Sequence, residues 1–471
     1  MNLGALTGSG EAIPVTGFAI DHRKVAPGTV FGAFRGERFN GEDFIPAAVE
    51  SGAVAVVSRP EVDVEGAVHI PAKEPRRDFA RLAAKFFQPF SEVIVAVTGT
   101  NGKTSSVELA RQLWRMAGHP SASIGTLGVT TSDDQVTTGL TTPDIVTFLS
   151  NMAGLERMGI THAAFEASSH GLSQYRTEGL PVAAAAFTNF SRDHLDYHET
   201  MEAYFEAKMR LFEDVLAPGA TAVVWADDAR SDEVMLRCRA RGLKVVSVGA
   251  RGDTLRLLAR ETTQLGQKLT IEAQGWTHVV NLALIGAYQA ANALTAAGLV
   301  IATGGALKPT LANLARVHPV RGRLERAAIT RAGAPVYVDY AHTPDAIESA
   351  CQALRPHARD KLVIVLGAGG DRDVGKRAEM GAAAARLADR VIVTDDNPRS
   401  EDPAAIRRDI LKGAPGAEEV AGRREAIRAA LSQAGPGDIV LVAGKGHEQG
   451  QIVGDKVLPF DDVNVAREEA A

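Results

Sequence analysis

Apolar residues along this chain fall into two spacings. Short unbroken runs rich in Val, Ile and Ala recur: AVAVVS (Ala53–Ser58), VIVAV (Val93–Val97), HAAFEA (His162–Ala167), AAAAFT (Ala183–Thr188), TAVVWA (Thr221–Ala226) and KVVSV (Lys244–Val248). After a gap come VYVDY, KLVIVLG, RVIVTD and DIVLVAG. Unbroken runs of this length predict strands buried on both faces. Between them lie Ala/Leu/Arg-rich stretches with helical spacing, so the alternation predicts largely parallel sheets covered by helices on both sides.

Two stretches interrupt the alternation: KFFQPFSE (Lys85–Glu92), read as a linker, and the Pro/Arg-rich joint KPTLANLARVHPVRGRLER (Lys308–Arg326). They divide the chain into a small N-terminal α/β domain (1–88), a larger central P-loop-type parallel-sheet domain (89–316) and a Rossmann-like C-terminal domain (317–471). No internal repeat or low-complexity tract is found.

One helical stripe carries an anomaly. In MEAYFEAKMRLFEDVL, Met201, Tyr204, Phe205, Leu211, Phe212, Val215 and Leu216 form the core-facing stripe of a single predicted helix. Lys208 lies inside that stripe. Its stem could lie along apolar surface while the ammonium reaches water, or the amine could be needed where it is.

Composition narrows the classes. With 471 residues, a soft prior gives about three domains. A net charge of −6 argues against a nucleic-acid surface. Two cysteines, Cys238 and Cys351, make no disulfide framework or zinc spacing and fit a reducing cytoplasm. The N-terminal segment has neither the basic nor the apolar region of a signal peptide. Val279 to Leu307 is uncharged, but its Asn, Gln, Gly and Ala content suits a buried strand, a glycine turn and a core helix better than a membrane span.

The chemistry begins at VIVAVTGTNGKTSSVELARQLWRMAG. A strand ends at Val97, the loop TGTNGKT follows, and a helix starts near Lys103 with Val107, Ala110, Trp114 and Ala117 on one face. Loop N–H groups and the helix N-terminus suit an anion. Lys103 suits β/γ-phosphates, and the Thr104 hydroxyl suits magnesium. The common spacing would put glycine at Val97; here Gly99 lies closer in. Glu166, ending a strand, is a candidate magnesium ligand, or alternatively bonds loop amides. NFSRDHLDYH ends another strand. There His194 is the better metal or phosphate candidate, and His198 is expected on the surface. Lys208 follows this loop and could be a base, a nucleophile or, after reaction with carbon dioxide, an anionic carbamate. In DDNPRSEDP, Arg399 offers a fork for a carboxylate, or could pair with Glu401.

TGTNGKT, FEASSHGL, DHLDYH with Lys208, YAHTPD, LGAGGDRDVGKR, DNPR and GKGHE occur together, in this order, in Mur ligases, and the chain resembles that family over nearly its whole length, most closely the members that add the third amino acid. The resemblance implies an ATP-dependent, magnesium-requiring amide ligase of the cytoplasm, expected as a monomer without nucleic-acid or membrane partners. It would join meso-diaminopimelate to UDP-N-acetylmuramoyl-L-Ala-D-Glu through an acyl phosphate. It implies ATP contacts at Gly99, Thr100, Asn101, Gly102, Lys103, Thr104, Ser105, Asn292, Arg323 and Asp339, with His342 nearby as a catalytic candidate. Magnesium would be held by Thr104, Glu166, His194 and Lys208, the last as N6-carboxylysine. His22, Thr141, Thr142, Ser168, Gln174 and Arg176 would hold the muramoyl-dipeptide, and Arg372, Asp396, Asn397, Pro398, Arg399, Gly444 and Glu448 the incoming amino acid. DNPR resembles the diaminopimelate-adding members. Three positions depart from the family pattern: His22 where serine is usual, Gln289 where Asn is common, and Arg321 where Pro is common. Folylpolyglutamate synthetase-like ligation, ligation of L-lysine, and an ATP-driven switch are the competing readings.

Overall fold

The computed structural model describes residues 1–9, 12–36, 39–132, 135–136, 141–263 and 266–471. Among these, three main sheets follow one another along the chain. The first has four parallel strands, Gly17–Ala19, Thr29–Gly32, Ala53–Ser58 and Val68–Pro71, side by side in chain order. The helix Pro75–Phe87 packs Phe79, Ala80 and Ala83 beneath it. Lys85 to Phe87 therefore close a helix, and the expected linker is shorter than KFFQPFSE.

Among the described residues the central sheet has eleven strands. Its parallel heart runs Lys244–Gly249, Thr221–Trp225, Val182–Phe187, Val93–Thr98, His162–Glu166 and Ser121–Gly125. Val93–Thr98 comes first in sequence yet lies in the middle, so the chain winds outward from it both ways. That makes its C-terminal end a crevice where ligands of such sheets bind. The helices Lys103–Met116 and Ala287–Ala302 cover one face, with Leu109, Leu113, Trp114, Ala293 and Leu294 buried against Val95 and Val97. Each large aliphatic side chain so buried contributes about 1.5–3 kcal/mol.

Beyond Lys244–Gly249 the sheet continues as an antiparallel meander, Leu255–Thr263, Gly266–Ala273 and Trp276–Leu282. Its last strand exposes Trp276 and Val279, so the strand expected to be buried here is half open to solvent. The helix Ala287–Ala302 that follows is buried as expected, and no helix among the described residues is long and apolar enough to cross a membrane.

The third sheet orders its strands Glu325–Ile329, Pro335–Asp339, Ile439–Ala443, Leu362–Leu366, Arg390–Val393 and Glu418–Glu419, all parallel except the first pair. A separate hairpin, Gly450–Val453 with Lys456–Pro459, lies over the loop after Val393: Arg399 N–H donates to Ile452 O (3.0 Å).

The stretch 201–216 is not one regular helix. It is α-helical over Met201–Arg210 and widens into a π turn over Leu211–Val215. The stripe survives that change, and Lys208 is 1% exposed.

Candidate active site

The phosphate loop is tight because two of its glycines have positive φ, Gly99 at 143° and Gly102 at 88°. A Cβ on Gly99 would lie 1.9 Å from Thr188 Oγ1, and one on Gly102 would lie 2.3 Å from Asn292 Oδ1, so both positions exclude side chains. The loop is fastened to the neighbouring strand end: Asn101 N–H donates to Asn189 Oδ1 (2.8 Å), and Thr188 Oγ1 donates to Asn101 O (2.6 Å).

Two amines meet on this loop. Lys103 Nζ donates to Gly99 O (2.9 Å) and Thr100 O (2.8 Å), and Lys208 Nζ donates to the same Gly99 O (2.8 Å). Lys208 also lies 4.1 Å from the centre of the Tyr204 ring. Burial lowers the pKa of both amines, that of Lys208 well below the usual lysine range; Lys103 adds to the fall at Lys208, and Arg323 to that at Lys103, where the carboxylates of Glu166 and Asp193 work against it. The predicted anomaly is therefore a buried amine aimed at the phosphate loop, not one that reaches water.

Glu166 is 1% exposed and, among the described residues, accepts from neutral donors, Thr126 N–H (2.7 Å) and Thr126 Oγ1 (3.1 Å). It does bond a loop amide, the alternative the sequence left open, while its charge still acts on Lys103. Thr142 Oγ1 donates to Glu166 O (2.8 Å) and pairs with Ser168 Oγ (3.0 Å). Thr141 Oγ1 pairs with Thr126 Oγ1 (3.1 Å). Arg176 donates to Thr142 O (2.8 Å) and Gln174 Oε1 (2.6 Å), and Gln174 donates to Tyr197 Oη (3.1 Å). These five predicted residues thus form one polar surface beside Glu166.

His194 has a positive φ of 54° and caps the short helix Leu195–His198. Burial lowers its pKa to about 3, leaving a neutral ring with a free lone pair. His198, expected on the surface, is 8% exposed; the short helix folds its ring between His170 and Tyr204. Asp193 gathers His194 (3.6 Å), His342 (3.9 Å) and Lys376 (3.8 Å). Burial works against its ionisation, but the Lys376 ammonium and the His194 backbone N–H, which donates to Asp193 Oδ1 (2.9 Å), hold the carboxyl below the usual range.

The strand ends of the third sheet face the same crevice. Arg323 donates to Thr104 Oγ1 (2.9 Å) and lies over the Tyr340 ring. Asp339 accepts from Leu324 N–H (2.6 Å) and Tyr288 Oη (3.3 Å); burial, partly offset by Arg323, raises its pKa to about 6. His342 is fixed by Tyr340 O (2.8 Å), and burial lowers its pKa to about 4. Gln289 and Asn292 bond one another (3.2 Å), and Gln289 reaches Arg323 O (3.1 Å). Asn101, Thr104, Ser105, Asn292, Arg323 and Asp339 line one cavity of about 390 Å³. Phe190, Trp225 and Tyr288 also line it; the sequence reading missed them because each comes from a different strand end or helix and no motif links them.

A further cluster surrounds DNPR. Asn397 Nδ2 donates to Glu448 Oε2 (2.7 Å), and the buried Lys445 donates to Asn397 Oδ1 (2.9 Å) and Glu448 (3.1 Å). Asp396 lies 3.9 Å from the fully buried Arg423, and a Cβ on Gly444 would meet Asp396 Oδ2 at 2.6 Å. Pro398 precedes Arg399, whose φ is 52°, and Arg399 donates to Gly370 O (2.7 Å). Glu401 is taken by Arg377 (2.7 Å) and Asp371 N–H (2.6 Å), so it is not the partner of Arg399. Arg372 is exposed at the mouth of this cluster. His22 lies apart, stacked on Phe44 at 4.5 Å in a cavity of about 890 Å³ in the N-terminal region.

Three family descriptions match in succession: Mur ligase family, catalytic domain, over residues 14–88; Mur ligase middle domain over 97–300; and Mur ligase, glutamate ligase domain, over 322–446. A UDP-N-acetylmuramoyl-L-alanyl-D-glutamate–2,6-diaminopimelate ligase of Zymomonas mobilis is 59% identical over 459 residues, covering 97% of this chain and 94% of its own. One of the same name from Bradyrhizobium diazoefficiens is 50% identical, covering 96% and 94%. A solved structure with that ligase name superposes at a TM-score of 0.73 and 32% identity, covering 100% of this chain and 98% of its own.

Proposed function

The chain belongs to the Mur ligase family, and from that premise we propose that it is the ATP-dependent ligase that joins meso-2,6-diaminopimelate to the D-Glu of UDP-N-acetylmuramoyl-L-Ala-D-Glu in peptidoglycan precursor synthesis. One observation carries the choice of amino acid. Arg399 spends one N–H on a backbone carbonyl while its nearest sequence acid, Glu401, is committed to Arg377. A guanidinium left in this way suits the far carboxylate that diaminopimelate has and lysine lacks.

In the mechanism, ATP occupies the cavity between the central and C-terminal sheets. Its phosphates turn Lys103 away from the Gly99 and Thr100 carbonyls. Lys103 then offsets the charge that develops as the γ-phosphoryl group passes to the D-Glu carboxylate. Thr142, Ser168, Gln174 and Arg176 hold the muramoyl-dipeptide beside the loop. The incoming amine attacks the acyl phosphate, and phosphate leaves. His342 suits the removal of the amine proton poorly: with a pKa near 4, it is far too weak a base for an ammonium whose pKa is about 10. The leaving phosphate is the better acceptor.

A hard cation fits the donors present. The buried Glu166 carboxylate accepts, among the described residues, from neutral groups, and a hydroxyl (Thr104) and a neutral imidazole (His194) accompany it. Thr104, Glu166, His194 and Lys208 as its carbamate would hold magnesium. The ion, when bound, neutralises charge on the transferring phosphoryl oxygens. Carbamate formation at Lys208 is favoured because burial keeps its amine neutral and a negative head would face Lys103 with the opposite charge. The enzyme acts as a cytoplasmic monomer on small molecules. The test is ADP release that requires both the nucleotide-sugar dipeptide and diaminopimelate. An ATP-driven switch would release ADP without them.

A further inference from the structure

Three cations of the C-terminal region, Arg377, Arg423 and Lys445, are buried to 2% exposure or less. A cation taken out of water needs a partner. Arg377 meets Glu401 (2.7 Å) and Asp409 (3.1 Å), and Arg423 grips Asp462 with two bonds of 2.7 Å. None of these acids is among the predicted site residues. Lys445 differs. Among the described residues, the one carboxylate within 4.0 Å of it is Glu448 (3.1 Å), which is 30% exposed and belongs to the cluster around DNPR. The strand Ile439–Ala443 ends just before it, and Gly444 and Gly446, both at positive φ (118° and 55°), turn the chain so that Lys445 lies inside. The mechanism above leaves this buried ammonium without a task.

Its contacts define one. Lys445 Nζ donates to Asn397 Oδ1 (2.9 Å) and Glu448 Oε2 (3.1 Å), and Ile452 N–H donates to the same Asn397 Oδ1 (3.0 Å). An ammonium and a backbone N–H can only donate, so the amide atom that faces both must be the oxygen. The amide nitrogen is thereby aimed at Glu448, and Nδ2 donates to Oε2 (2.7 Å). Both inward bonds fall on that one oxygen. Oε1 accepts from no group among the described residues, on a side chain that is part exposed. Asn397 lies two residues before Arg399, whose guanidinium the ligase reading gives to the far carboxylate of diaminopimelate. A carboxylate oxygen left free in the same cluster suits the ammonium that shares the far carbon with that carboxylate. We propose that Lys445 is a positioning residue for amino-acid selection: by fixing the Asn397 amide and one oxygen of Glu448, it leaves the other oxygen set to receive the far ammonium. This rests on the ligase reading above.

The test compares meso-diaminopimelate with L-2-aminopimelate, which has the same two carboxylates and the same reacting amine but lacks the far amine. kcat/KM for each is measured in wild type, Lys445→Met, Lys445→Gln, Glu448→Gln and the double variant Lys445→Met/Glu448→Gln. Wild type prefers diaminopimelate by about tenfold to a hundredfold, the size expected for hydrogen bonds to a charged group. Lys445→Met loses most of that preference through diaminopimelate alone, while kcat/KM for aminopimelate and KM for ATP stay within about twofold. Lys445→Gln, which can still donate to Asn397, keeps part of the preference. In the Glu448→Gln background, Lys445→Met changes the preference by no more than about twofold, because the two residues act as one unit. A Lys445→Met variant that penalises both amino acids alike, or neither, overturns the assignment of Lys445, and so does a full further loss in the double variant. Where Met prevents folding, the Gln variant decides: wild-type preference in it, or equal losses on both amino acids, overturns the assignment. A wild type that adds both amino acids equally well overturns the role given to Glu448 and this assignment with it. A wild type that adds neither overturns the ligase reading itself.

Discussion

Lys103 and Lys208 donate to one and the same acceptor, the carbonyl oxygen of Gly99, at 2.9 and 2.8 Å. Burial and the neighbouring Lys103 both disfavour a positive charge on Lys208; the carboxylates of Glu166 and Asp193 act on Lys103, and that of Asp193 on Lys208, only at longer range. The arrangement is one that an anion relieves. Phosphates would draw Lys103 off the carbonyl, and a carbamate would reverse the charge of Lys208.

Lys103→Ala removes the donor proposed for the transferring phosphoryl group. Ligation should fall by at least about a hundredfold to a thousandfold, the usual loss for one preorganised donor to a transition-state charge. Thermal unfolding should stay close to wild type, because the deleted amine makes only two loop bonds. Undiminished amide formation would remove the phosphate role of Lys103.

Lys208→Ala should be nearly inactive, and added acetate or propionate should restore part of the activity by supplying the missing carboxylate. In wild type, ¹³C-labelled bicarbonate should give a carbamate resonance that the variant lacks. Full wild-type activity in a bicarbonate-free preparation would sink the carbamate.

How much of this was legible beforehand differs from residue to residue. Lys208 stood out because a charged residue interrupts an apolar stripe, and Glu166 because it ends an unbroken apolar run; both signals are local. The strand Leu255–Thr263 gave no such signal, since nearly all its residues face solvent and it is held by backbone pairing with its neighbour. The burial of His198 was misjudged because it depends on rings supplied by His170 and Tyr204. The fate of Glu401 could not be read either: its partner Arg377 lies on the helix Gly375–Leu387, distant in sequence, and only the folded chain shows that Glu401 is not the partner of Arg399.

Asp339 gives a pH test. Its pKa, raised to about 6, means that it is mostly ionised at pH 7.5 and protonated by pH 5. ATP binding that uses its charge should weaken as pH falls through about 6. Its effect on stability runs the other way. A buried acid whose folded pKa exceeds the unfolded value costs stability above about pH 6, on the order of 2–3 kcal/mol at most, and that cost fades as pH falls. Asp339→Asn should therefore flatten the pH dependence of KM for ATP between pH 5 and 7.5 while raising the melting temperature at pH 8. A variant whose KM follows pH as the wild type does would show that another group titrates.

The central claim is the amino acid added, and the direct measurement is product formation from UDP-N-acetylmuramoyl-L-Ala-D-Glu and ATP with meso-diaminopimelate or with L-lysine, in wild type and in Arg399→Ala. Arg399 is part-buried, and losing hydrogen bonds to such a charged group costs about 1.5–3 kcal/mol, so wild type should favour diaminopimelate by roughly tenfold to a hundredfold in kcat/KM. Arg399→Ala should lose most of that preference while keeping its KM for ATP. Lysine added as efficiently as diaminopimelate by the wild-type enzyme would contradict the account.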